Sequence, residues 1–125
     1  MRTRTSALRE KSTVYDLGMF ANTPKPPYWV VVFTSHRRDD EGYGAMSERM
    51  QELASQQPGY LGIESARGSD GVGITVSYWK DRQSIAAWKA HLEHRQAQAR
   101  GREQWYSRYQ VRVAKVEYDY EFPPM

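Results

Sequence analysis

The chain of 125 residues contains no cysteine. That excludes a disulfide framework, a thiolate metal site and cysteine nucleophilic catalysis, and it accords with a reducing compartment, so the cytoplasm is the expected location. No apolar run approaches the roughly 18 residues that a spanning helix needs, and no membrane partner is expected. The N-terminal region lacks the apolar central run of a secretory signal. A charge excess on the folded part is missing too. The formal net charge is +3, and Arg2, Arg4, Arg9, Lys11 and Lys25 stand before Tyr28 against only Glu10 and Asp16, so removing that segment removes the whole excess. Nucleic-acid binding relies on neutralising several phosphates at once, and no such patch is expected here. Phosphate loops, dinucleotide fingerprints and zinc-ligand spacings are also absent.

What is present is a single domain's worth of core-forming material, with 13% aromatic and 26% charged residues. Residues 1–27 are polar and end in Thr23-Pro24-Lys25-Pro26-Pro27, whose prolines block helix and central strand alike. They are expected to be a flexible arm, with Met19 as an alternative initiator to Met1. The domain is expected to span 28–122, followed by a short tail, 123–125.

Within it, Tyr28 to Ser35 is a nearly continuous β-branched and aromatic run, which predicts a central first strand, with His36 to Glu41 as a loop and helix start. Tyr43, Met46, Met50, Leu53 and Ala54 recur at helical spacing up to Pro58-Gly59. Tyr60 to Arg67 alternates as a second strand, and Gly68-Ser69-Asp70-Gly71 supplies a hairpin turn. In the third strand Val72, Ile74, Val76 and Tyr78 alternate with Gly73, Thr75, Ser77 and Trp79, so one side is greasy and the other leaves room. Asp81 is placed to cap a second helix carrying the stripe Ile85, Trp88, Leu92. Gly101 is expected to break that helix, Arg102 to Arg108 to form a short helical turn, and Tyr109 to Glu121 to be the last strand.

The order βαββαβ predicts an α+β, ferredoxin-like antiparallel sheet with both helices on one face. The opposite face, expected to show residues such as Trp29, Val31 and Tyr78, would then present more apolar surface than a monomer tolerates. A homodimer packing sheet to sheet is the expected remedy.

Asn22 to Tyr28, Gln57-Pro58-Gly59-Tyr60-Leu61-Gly62, Ser77-Tyr78-Trp79-Lys80 and Ala87-Trp88-Lys89-Ala90-His91 through Gly101-Arg102-Glu103 resemble the antibiotic biosynthesis monooxygenase (ABM) superfamily of dimeric α/β barrels, in its bacterial branch related to HmoA-type haem-degrading monooxygenases. The resemblance covers about residues 20–122. It implies a homodimer and a small monooxygenase acting on an aromatic or quinol-like ligand, possible in this superfamily with no bound cofactor. The similar haem-degrading enzymes use an asparagine in the first strand, a tryptophan on the second helix and a histidine ligand ten residues later. Trp88 matches the tryptophan, but Gln98 stands at the histidine position and Val30 to Ser35 contains no asparagine. Haem binding is the alternative only if His91 or His94 ligates iron. A third reading is a non-enzymatic, ligand-binding or stress-associated dimer.

His91 and His94 share a helix face at i, i+3 and are the candidate bases, against the ordinary role of surface polar residues. No metal site is expected, since two nitrogens without a third ligand hold an ion weakly. Trp79 and Trp88 are core residues that could also stack a flat ligand, joined by Tyr106 near the Gly101 break. Arg95 belongs to the basic run Arg95, Arg100, Arg102, Arg108, either a solvated face or a clamp for an anionic ligand. Ser35 ends the first strand on the side where pockets of the resembling family open, and completes the substrate-binding set.

Overall fold

A computed structural model describes residues 20–37, 43–99 and 106–124, with the side chains of 43–46 and 94–99 outside that description. The expected roles of residues 1–19 and Gly101, and of the side chains of Tyr43, Met46, His94, Arg95 and Gln98, therefore lie outside the described residues.

The elements follow the order β1 (Tyr28–Arg37), α1 (Tyr43–Ser55), β2 (Tyr60–Arg67), β3 (Val72–Trp79), α2 (Arg82–Ala99) and β4 (Tyr106–Val116). Each neighbouring pair in the sheet is antiparallel and the strand order is β2-β3-β1-β4, the ferredoxin-like α+β arrangement. The β-branched run of β1 takes the interior position, pairing on both sides with β3 and β4, as its apolar continuity demands. The main helix contacts are α1 on β2 and α2 on β3, so the helices cover chiefly one half of the sheet. Strand β4 is an outer strand of mostly exposed residues.

Turn chemistry fixes the connections. Gly71 takes a φ of 89°, Gly68 N donates to Val72 O at 2.8 Å, and Asp70 Oδ1 accepts from Val72 N at 3.0 Å, closing the β2–β3 hairpin. Asp81 caps α2 by accepting from both the amide and the hydroxyl of Ser84, at 2.8 and 2.7 Å. These bonds to the charged form hold its carboxyl below the usual range. Gly59, at φ 84°, accepts on its carbonyl oxygen from Lys80 N at 2.8 Å, and a methyl group on it would fall inside the Ser84 side chain. Gly59→Ala is therefore expected to destabilise by about 1–3 kcal/mol, seen as an earlier thermal midpoint; an unchanged midpoint would show that the start of α2 yields freely.

Three boundaries differ from expectation. β1 runs on through His36 and Arg37, because Arg37 N donates to Gly71 O at 3.0 Å and Arg37 pairs with Tyr106 beyond a register shift. Tyr106, Ser107 and Arg108 are strand rather than helical turn: Tyr106 is held edge-on to Phe33, 5.3 Å away, a tertiary contact that overrides local pattern. β4 stops at Val116 rather than Glu121, since its last partner is Tyr28, the first residue of β1.

The assignment of faces also changes. Register places Trp29, Val31, Phe33 and Ser35 of β1 on the same side as Trp79, Ser77, Thr75 and Gly73 of β3, and Trp79 packs against α2. Trp29 and Val31 thus belong to the helix side. The opposite side carries Tyr28, Val30, Val32 with Tyr78, Val76, Ile74 and Val72, of which Ile74 and Val72 are exposed.

Candidate functional site

The helix-facing side of the sheet is built around Trp79, the one fully buried large side chain among the described residues. Its indole N–H donates to Ser77 Oγ at 2.9 Å, satisfying a donor that burial would otherwise strand. Tyr60 meets the ring edge-on at 5.7 Å, and Trp88 stacks on it at 6.1 Å with 26° between planes. His91 then stacks on Trp88 at 5.6 Å and 18°. One turn of α2 separates Trp88 from His91, which is why i, i+3 places the two rings face to face. The three residues form a continuous aromatic row reaching from the sheet along the helix.

Two buried polar side-chain atoms in this layer lack a hydrogen-bond partner, His91 Nε2 and Ser35 Oγ. Buried polar atoms are nearly always paired, so each marks a place where a water or ligand group belongs. A second aromatic group stands on the β1–β4 half: Phe33 stacks on Tyr109 at 5.4 Å, and Tyr106 approaches both, at 5.3 and 5.9 Å. Tyr109 pairs with Ser35, so this group borders the unpartnered hydroxyl. At the other end Arg82 lies over the Trp29 ring, 5.5 Å from its centroid.

Of the residues expected to form the site, Trp79, Trp88, His91, Tyr106 and Ser35 all fall in the helix-facing layer, in two groups at Trp79–Trp88–His91 and at Ser35–Tyr106. His94 and Arg95 lie on α2 with their side chains outside the description. Sequence reasoning missed Phe33 and the pairing of Arg67 with Gly73 across the hairpin. The signal for the latter was a glycine directly opposite an arginine, legible only once the register is known. A shallow groove at Pro58, Gly59, Lys80, Asp81, Gln83, Ser84 and Ala87 contains none of the expected residues. Among the described residues no three His, Asp or Glu side chains gather to hold a metal ion, and no helix is long and apolar enough to cross a membrane.

On the opposite side, Tyr78 donates to Glu64 Oε1 at 2.6 Å and Ala21 N to Oε2 at 2.8 Å, while Tyr28 donates to Asp119 and accepts from Thr23 Oγ1 at 3.2 Å. Desolvation, then the bonds to Glu64 and Asp119, push both phenols upward, Tyr78 strongly, so they remain protonated donors. This network fastens residues 21–23 and Asp119 to the same end of the sheet.

The family model described as antibiotic biosynthesis monooxygenase matches residues 31–100. The uncharacterized protein YqjZ of Bacillus subtilis (strain 168) is 50% identical over 102 residues, 81% of this chain and 90% of its own. Among solved structures, SnoaB, a cofactor-independent oxygenase from Streptomyces nogalater, superposes with a TM-score of 0.58 at 12% identity, covering 78% of this chain and 99% of its own. A putative antibiotic biosynthesis monooxygenase from Nitrosomonas europaea does so with a TM-score of 0.55 at 16% identity, covering 83% and 99%. At such identities the two structures attest the fold alone.

Proposed function

The chain belongs to the antibiotic biosynthesis monooxygenase family, and on that premise we propose that it is a small oxygenase which acts on an electron-rich aromatic or quinol without a bound cofactor. The observation that carries this is His91: an imidazole whose buried Nε2 has no partner, held flat against Trp88. A nitrogen in that position accepts a proton from a ring hydroxyl or an acidic ring C–H of a ligand stacked beside it. The resulting anion is electron-rich enough to reduce dioxygen itself. It forms a C–O bond, and loss of water from the hydroperoxide leaves a carbonyl on the ring. The protein's part is to remove the proton, keep the ring flat against aromatic walls and exclude bulk water from the anion. Likeness of fold to a cofactor-independent oxygenase supports the same reading.

The decisive measurement is oxygen uptake by the purified protein with a panel of quinols and anthrones, with no added metal or reductant. Uptake that depends on His91 is expected. Binding of these ligands without any uptake would sink the oxygenase and leave a ligand-binding protein. A hemin titration gives the remaining reading its chance: a sharp Soret band lost in His91→Ala would favour iron ligation over base catalysis.

The protein is also proposed to work as a homodimer in the cytoplasm. Val72 and Ile74 are 40% and 46% exposed on the side of the sheet away from the helices, beside the apolar Val30, Val32 and Val76. A second copy would bury that surface. Light scattering at micromolar concentration is expected to return twice the chain mass of 14.6 kDa, and a monomeric mass would contradict it.

A further inference from the structure

The helix-facing side of the sheet ends, away from Trp29, in groups that proton removal at His91 does not use. Ser35 is only 4% exposed and its hydroxyl has no partner. Across one rung lies buried Gly73, and the space that a Cβ on Gly73 would fill is taken by the guanidinium of Arg67. Glycine is what makes room for it: any side chain at 73 would displace the cation from the sheet surface. Arg67 Nη1 donates to Gly71 O at 3.1 Å, which fixes where the fork lies. Across the other rung is Tyr109, stacked on Phe33. A hydroxyl awaiting a partner, a positioned guanidinium and an aromatic wall thus converge at one end of the layer.

We propose that this end binds a carboxylate on the aromatic ligand, making Ser35 and Arg67 specificity residues and the substrate an aromatic acid. The inference rests on the oxygenase reading and adds the charge of the substrate to it. Guanidinium is weakly hydrated and its planar fork matches a carboxylate, whereas a neutral ring substituent gains little from it. Ser35 supplies a hydroxyl donor, and its own unsatisfied state in the free protein is what the ligand relieves. Ser35 stands six residues along β1 from Trp29, about 20 Å at the usual strand rise, so the carboxylate end and the tryptophan end suit opposite ends of a molecule with several rings.

The test compares anthraquinone-2-carboxylate with anthraquinone-2-carboxamide, titrated into the full chain and followed by quenching of tryptophan fluorescence. Wild type is expected to bind the carboxylate roughly tenfold or more tightly than the amide, the scale of one charge-assisted hydrogen bond. Arg67→Met is expected to bring that ratio towards one by weakening carboxylate binding, Ser35→Ala to weaken both ligands and lower the ratio by less, and Arg67→Lys to keep part of it. Equal binding of the two ligands by wild type, or a ratio that neither variant moves, overturns the inference. Should the amide bind and His91-dependent oxygen uptake persist without any carboxylate preference, only this inference falls and the oxygenase stands. Should neither ligand quench, this inference falls, and oxygen uptake with quinols and anthrones decides the oxygenase separately. Melting curves of the two variants, one at a strand end and one on the hairpin, separate lost recognition from lost folding.

Discussion

Replacing Trp79 by alanine is expected to remove about 3–5 kcal/mol of stability, the range for deleting a large aromatic from a packed core. The side chain is fully buried, its faces and edge are taken by Trp88 and Tyr60, and its indole N–H is satisfied by Ser77. A domain of this size has only about 5–15 kcal/mol in hand, so the variant should be partly unfolded near 37 °C. Urea denaturation measures the effect as a shift in midpoint. Trp79→Phe should cost less, because a ring still fills most of the space, yet it leaves the Ser77 hydroxyl without its donor. A loss below about 1 kcal/mol in Trp79→Ala would mean that the aromatic row is not the centre of the core.

The second large effect concerns activity. His91→Phe is expected to lower kcat/KM for oxygen uptake by about 10²–10⁴, the usual contribution of a positioned general base. Stability should be unchanged or slightly higher. Phenylalanine preserves the stack on Trp88 and removes a buried nitrogen that has no hydrogen-bond partner, a group that costs about 1–3 kcal/mol when left unpaired. The pairing of lost turnover with retained or improved folding is the signature of a residue kept for chemistry. His94→Ala is the internal comparison. If it, and not His91→Phe, abolishes uptake, the base is the residue one turn later on α2.

The element order, the Gly68–Gly71 turn and the Asp81 cap were all legible from the chain because each depends on local chemistry. Alternation in Val72 to Trp79 likewise separated the roomy side of β3 from the greasy one, and that roomy side is where Trp79 and Ser77 meet. The phase of β1 was not legible. Tyr28 to Phe33 is apolar at every position, so nothing in the strand itself says which set faces the helices, and pairing of Trp29 with Trp79 decides it. Arg67 was hidden for a related reason. In sequence it is a polar residue ending an alternating strand, and it acquires meaning only from the glycine that faces it across the hairpin. The start of β4 depends on a contact with Phe33 from the other end of the chain.

The outer position of β4 bears on how copies of this protein meet. An outer strand offers its unpaired backbone to any other strand, and β4 is long, with Val111 and Val113 half exposed. It also carries Arg108, Arg112 and Lys115. A second β4 approaching edge to edge would bring its own Arg108, Arg112 and Lys115 near these cations, and like charges on facing strands repel. The repulsion weakens as salt rises. Growth of the sheet into a filament through this edge is thus disfavoured at low ionic strength and becomes easier as salt rises.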